Sequence, residues 1–353
     1  MVNRNQLKIS DNVTRESVFP KVPPAQQLGK RTRSPEISIG YSINLELTDR
    51  KSAVLTPSSL ACLSKTATIN LTSGCAHGCV YCYTKGYSSF PGESTVRLYA
   101  NTAEKLEAEL LKKRTLPKSV YFSPSSDLFQ PIPEVREMGL RVLKILLNRG
   151  IGVAFLTKGA IPDEYFDLFE KHPGQVQARI GLITTDQRII SQIEPQAAPV
   201  SVRLEQAKRL IATGVSTSMR ADPIIPGVTD DEQTLDDLCS TISQSGVREL
   251  AASILFLRPA ITHSLNKALQ GTNILKTIHA RFEKSRRLPI HAELSMVNAL
   301  PLEDRKQIFD RLKTTTDRYG IRLHLCACKN PDLPAASCLI AGNWNEKLLF
   351  ELT

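Results

Sequence analysis

From about residue 67 onward, β-type and helical stretches take strict turns, and this rhythm constrains the fold most. Short apolar, β-branched runs (67–72, 119–124, 152–159, 176–185, 216–225, 249–258, 322–329) alternate with stretches of helical spacing (102–114, 134–150, 162–172, 201–214, 229–246, 264–285, 301–320). Gly150 and Gly214 fit helix stops, and Thr229 reads as an N-cap. Alternating strand–helix units pack as parallel β/α layers. Six or seven units are too few for a closed eight-fold barrel. A partial (β/α)6 barrel is therefore the expected architecture, with a doubly wound open sheet as the alternative. In both, ligands gather at the C-terminal ends of the strands.

One loop in that rhythm carries the chemistry. The run Cys75-Ala-His-Gly-Cys79-Val-Tyr-Cys82 follows the first strand with C-x3-C-x2-C spacing. Gly74 and Gly78 mark it as a loop. Three thiolates can hold three irons of a four-iron cluster, which normally takes four, and leave the last iron open to a small molecule. A structural zinc site needs four ligands, and His77 is the local candidate. Three is an odd number for disulfides, and the N-terminus has no apolar leader segment.

The chain has 353 residues, 41% hydrophobic and 23% charged, with a net charge of +10. That composition suits a water-soluble protein, and no run of eighteen apolar residues is present. Eight cysteines without an export signal fit a reducing, cytoplasmic setting. The positive charge hints at a nucleic-acid partner, although a diffuse excess binds nothing in particular. Residues 1–38 are polar and proline-containing and read as a flexible arm. Residues 39–300 would form the barrel core and 301–353 a C-terminal extension.

That extension holds a second cysteine group: Cys326, Cys328 and Cys338, with His324 nearby. On a strand, Cys326 and Cys328 would share a face, and the loop could return Cys338 to them. A second metal or cluster site, a redox thiol and an ordinary core packing all fit. Cys239 reads as core, and Cys62 is undecided.

The segments CAHGCVYCY, SPSSDLFQP, LTKG, LITT, EPQAAPVSVRLEQAKRLIATG and RADPIIPG together resemble the spore photoproduct lyase branch (DNA repair photolyase-like) of the radical S-adenosylmethionine (SAM) superfamily. The resemblance runs from about Ala67 to Pro259. It implies a partial barrel, a 4Fe–4S cluster on Cys75, Cys79 and Cys82, and SAM on its unique iron. It also implies reductive cleavage of SAM to a 5′-deoxyadenosyl radical, with electrons from a donor such as flavodoxin or ferredoxin. Carried over by position, Tyr81 lies near adenine and Tyr83 is a candidate radical relay. Ser126, Asp127, Lys158, Thr184, Thr185 and Arg220 would line the SAM site. Arg220 could pair with the methionine carboxylate, with Glu194, or internally with Asp222. The family's hydrogen-donor cysteine has no counterpart here: Pro124 occupies its position. DNA is the substrate the resemblance suggests. A radical enzyme acting on a peptide or small metabolite, and a non-catalytic zinc-stabilised nucleic-acid binder, are the alternatives.

Overall fold

In the computed structural model, which describes residues 43–58, 60–290, 295–334 and 340–344, the strands are β1 (Asn44–Thr48), β2 (Thr56–Pro57), β3 (Ala67–Ile69), β4 (Thr72–Ser73), β5 (Thr95–Tyr99), β6 (Ser119–Phe122), β7 (Gly152–Thr157), β8 (Val176–Gly181), β9 (Ser216–Ile224), β10 (Glu249–Ile254), β11 (Arg286–Ile290), β12 (Ser295–Ala299) and β13 (Arg322–Leu325). The helices are α1 (Thr102–Leu111), α2 (Pro133–Leu147), α3 (Asp163–Glu170), α4 (Gln187–Ile193), α5 (Val200–Ala212), α6 (Glu232–Gln244), α7 (Pro259–Ala268), α8 (Asn273–Phe282) and α9 (Leu302–Arg318). The arm expected at 1–38 lies outside the described residues.

The main sheet has eight strands in the order β13-β10-β9-β8-β7-β6-β3-β2. Only β2 runs antiparallel; its other pairings are all parallel. This is the expected partial barrel, extended by a seventh parallel strand, β13, from the segment read as an extension. Strand alternation sorts its two faces. Val120, Phe122, Val153, Phe155, Ala178, Ile180, Met219, Ala221, Leu250 and Ala252 point outward into the main core under the helices. Helix α2 meets that core with Val135, Met138, Val142 and Leu146, a stripe at helical spacing. Burying each such side chain contributes roughly 1.5–3 kcal/mol. Tyr121, Ala154 and Ala251 point inward, where they join a separate small cluster with Leu63, Cys326 and Ile340.

The N-terminal end of the barrel is closed by the C-terminal segment. Gln177 at the start of β8 binds the backbone of Asn343 in both directions (2.7 and 2.8 Å). Trp344 covers Gly152 so closely that a Cβ there would lie 2.5 Å from the indole.

Several boundaries differ from the sequence reading. The single helix expected at 264–285 is two, α7 and α8, separated at Gly271 (φ +78°), with Thr272 capping α8 through the Leu275 amide (3.2 Å). Asp231, not Thr229, caps α6, accepting from the Thr234 amide at 2.9 Å. Thr229 accepts from Ile225 instead. The hairpin β11–β12 had no counterpart in the sequence reading. Among the described residues, no helix is long and apolar enough to cross a membrane.

Candidate active site

The cysteine loop leaves the C-terminal end of β3, where a parallel sheet exposes its reactive side. Gly74 has φ +83°, and a Cβ on it would lie 2.5 Å from the Thr95 carbonyl oxygen, so glycine is required. Gly78, with φ +65°, turns the chain between Cys75 and Cys79. The loop backbone is tied on two sides. The Ala76 amide donates to Gln130 Oε1 (2.9 Å). The Val80 amide donates to the Ile193 carbonyl at the end of α4 (2.9 Å), and the His77 carbonyl accepts from Gln196 (3.1 Å).

Cys75, Cys79 and Cys82 are each partly accessible. Burial holds the Cys75 thiol well above its ordinary range, and the Asp127 carboxylate adds to this. Burial and then Glu194 push Cys79 up to about 12. Cys79 and Cys82 raise the Cys75 thiol further, and Cys82 that of Cys79. Binding metal here means displacing thiol protons, which a metal ion or cluster does.

His77 is not available as a fourth ligand. Its Nε2 lies 3.1 Å from Asp127 Oδ2, and its Nδ1 lies 3.1 Å from the Gln196 carbonyl. Among the described residues, no group of three His, Cys, Asp or Glu side chains is arranged to hold a single metal ion.

Asp127 is a junction. Its carboxylate accepts from the Phe129 amide (2.8 Å), the Thr157 hydroxyl (2.8 Å) and the Lys158 amide (2.9 Å), besides facing His77. Burial alone would raise its pKa, but His77 and these donors hold it below the ordinary value. Its acceptor sites are spent on protein, so it organises the mouth of the barrel from behind.

Lys158 follows the end of β7 directly, with its Nζ 5.6 Å from the Tyr81 ring centroid. Its side chain passes over Gly181, where a Cβ would approach Lys158 Cγ to 2.8 Å. Burial works against its charge, but Glu194 and Cys79 outweigh this and raise its pKa. The Ser126 Oγ is buried with no hydrogen-bond partner. Ser123, which starts the same turn, is held at φ +54°, a left-handed conformation that costs a non-glycine residue. The Tyr83 hydroxyl donates to the carbonyl of Pro124, and its ring meets Tyr87 edge-on at 5.7 Å.

Other expected residues stand elsewhere than read. Strand β8 stops at Gly181, so Thr184 and Thr185 lie in the loop beyond it rather than ending a strand. Thr184 is buried and accepts from the Asp186 amide (3.1 Å). Arg220 turns to Asp222, donating from Nε and Nη2 at 3.0 and 2.8 Å. Lys329 closes on the same carboxylate at 2.8 Å. Of the three pairings offered for Arg220, the structure has the internal one. Strand β13 ends at Leu325, so Cys326 and Cys328 follow the strand and do not share a strand face. Both pack with Cys62 and Trp344 in the apolar cluster inside the barrel. Cys338 lies outside the described residues.

The partner of Glu194 was missed. Arg203, fully buried, grips Glu194 at 2.5 Å, and Glu194 accepts the Tyr81 hydroxyl. The available signal was an arginine within the buried stripe Val200, Arg203, Ala207 and Leu210 of α5. Lys329 and Gln130 carried no local signal.

Residues 69–239 match the family model described as the Radical SAM superfamily. The chain is 27% identical over 165 residues to a radical SAM Nα-GlyT isomerase of Pseudomonas phage M6, covering 46% of this chain but only 33% of that protein. It therefore spans about a third of the length of this relative. An uncharacterized protein of Mycobacterium bovis is 25% identical over 248 residues, covering 67% of this chain and 72% of the relative. Among solved structures, a mutant spore photoproduct lyase superposes with a TM-score of 0.63 at 14% identity, covering 80% of this chain and 82% of that one. Another, with bound AdoMet and dinucleoside spore photoproduct, gives 0.62 at 14%, covering 79% and 81%. Residues 69–239, just under half of the chain, are thus similar to the radical SAM superfamily, and the fold resembles that of spore photoproduct lyase.

Proposed function

We propose that this protein is a radical SAM enzyme of the spore photoproduct lyase-like group, with Cys75, Cys79 and Cys82 holding a 4Fe–4S cluster and SAM bound beside it. Such a cluster would supply the electron for reductive cleavage of SAM, and so hydrogen-abstraction chemistry. The chain's own residues bind and orient. Lys158, charged at neutral pH, meets the methionine carboxylate, and Ser126 Oγ supplies a buried hydroxyl without a protein partner. Tyr81 offers its ring toward the adenine. Thr184, Thr185 and Arg220 serve as walls rather than first contacts, since Thr184 and Arg220 are engaged by protein. Tyr83 is the candidate for hydrogen relay, its hydroxyl lying against Pro124. Reduced flavodoxin or ferredoxin, in a cytoplasmic setting, is the fitting electron source. We assign no metal to Cys326, Cys328 and Cys338.

One observation supports this reading: the C-x3-C-x2-C loop follows β3 at its C-terminal end, with Lys158 Nζ 5.6 Å from the ring of Tyr81 inside that loop. The test is anaerobic reconstitution, then reduction with SAM. About four irons per chain and release of 5′-deoxyadenosine are expected. A colourless, zinc-loaded protein that releases none overturns the proposal and favours the nucleic-acid binder.

For the substrate, DNA is the first reading, supported by the net charge of +10 and by the dinucleoside bound to the structural neighbour. Binding of DNA that weakens steeply with salt supports it, because phosphate contacts release counterions. The proline at position 124 argues that any such reaction ends differently from the family's repair step. Salt-insensitive, weak DNA binding favours a peptide or small metabolite.

A further inference from the structure

One guanidinium ties together three segments around the cysteine loop. Arg203 Nε donates to the Ala198 carbonyl (2.7 Å), and Nη1 donates to the Gly181 carbonyl (2.9 Å) and pairs with Glu194 (2.5 Å). Each contact leads to the site. Glu194 accepts the Tyr81 hydroxyl, from inside the cysteine loop. Gly181 lies beneath the Lys158 side chain. The Ala198 amide donates to the Lys158 carbonyl (2.8 Å). Neither side chain of the Arg203–Glu194 pair retains any accessible surface.

Such a buried pair is weak evidence for stability, because desolvating both charges costs about as much as their attraction returns. Stability alone therefore does not account for a fully desolvated arginine on the core stripe of α5. Its forked donors instead fix relative positions, which a point charge on a flexible stem does less well.

We infer that Arg203, acting through Glu194, is a positioning residue that holds Tyr81 and Lys158 in register for SAM beside the cluster-bearing loop. This rests on the radical SAM reading of the site. The proximity of Glu194, Lys158 and Arg203 to Cys79 agrees with it.

The test uses the full-length reconstituted protein. Arg203→Met strands the Glu194 charge and so risks misfolding, so Arg203→Met/Glu194→Gln is the main variant and Arg203→Lys the conservative one. Iron content, SAM dissociation constant and the SAM-induced change in the reduced-cluster EPR spectrum are measured beside a thermal melt. Supporting residues around metal sites typically contribute about 10- to 100-fold in affinity or activity. The double variant is expected to melt as a folded protein and hold its iron, to bind SAM about 10-fold or more weakly, and to lose the EPR change. Arg203→Lys should recover only part of this. A folded, iron-loaded double variant with wild-type SAM affinity and EPR response overturns the inference. So does a folded double variant that loads no iron, which would make the pair part of cluster assembly. A wild-type protein that holds no iron defeats the functional reading itself, and with it this inference.

Discussion

The described members of the two cysteine groups occupy different chemical environments. Cys75, Cys79 and Cys82 sit in a loop whose backbone is tied to Gln130, Ile193 and Gln196, with Lys158, Asp127, Glu194 and Arg203 around them. Cys326 and Cys328 sit inside the barrel among Leu63, Tyr121, Ala154, Ala251 and Trp344. A thiol becomes a metal ligand only as the thiolate, and charge must be available to stabilise that anion. The first group lies among charged side chains, and burial with the Asp127 and Glu194 carboxylates keeps its free thiols protonated, so the anions would form as metal displaces the protons. Cys326 and Cys328 pack against a cluster of mostly apolar side chains, which a cysteine can join as a small side chain. Residue type and spacing alone did not separate them.

The sharpest way to break this contrast is to count iron. Replacing Cys75, Cys79 or Cys82 with alanine should abolish cluster assembly and 5′-deoxyadenosine release, read by iron content and visible absorbance. The Cys326→Ala/Cys328→Ala variant should load the same iron per chain as wild type. Iron lost from the second variant, with folding intact, would restore a metal role to the C-terminal group.

A smaller effect tests the polar side of the mouth. Asp222 is pushed up by burial but held well below the ordinary carboxylate range by Lys329 and Arg220, which outweigh it. Because its folded pKa is depressed, the stability it contributes is present at neutral pH. That stability is lost as pH falls below the unfolded value of about 3.9 and on through the folded one. Urea midpoints should therefore fall in acid more steeply for wild type than for Asp222→Asn. The substitution should cost about 3–5 kcal/mol at pH 7, since it leaves buried cations without their counterion. Parallel acid profiles would show that Asp222 is not the charge holding β9 to the turn after β13.

Sequence legibility followed the range of the interaction. The β/α rhythm and the cysteine loop are local patterns, and both appear where periodicity and spacing put them. Strand ends were harder. The alternation in RLHLCACK runs on to Lys329, but β13 pairs only with Glu249–Ala252 of β10. The Lys329 and Asn330 amides then turn back to the Cys326 carbonyl (3.2 and 3.1 Å) and end the strand. Likewise LITT continues the pattern of β8, yet its register with β9 stops at Gly181 opposite Arg220. The pairings of Glu194 with Arg203 and of Asp222 with Lys329 depend on which elements become neighbours. The second spans 107 positions, and no local pattern announces it.

The finest test asks how apolar the second environment is. Cys326 is 2% exposed, and the cluster that takes it in is lined by Leu63, Ala154 and Ile340. Serine has nearly the same shape but brings a hydroxyl that needs a hydrogen bond. Moving it from water into mostly apolar surroundings costs up to about 1–3 kcal/mol in protein mutational terms. Alanine keeps the apolar character and loses only one heavy atom, so Cys326→Ala should cost less than Cys326→Ser. Thermal melts of the two variants decide it. If serine is tolerated as well as alanine, this part of the barrel interior is wet, and the distinction between the two cysteine groups narrows to the charges around the first.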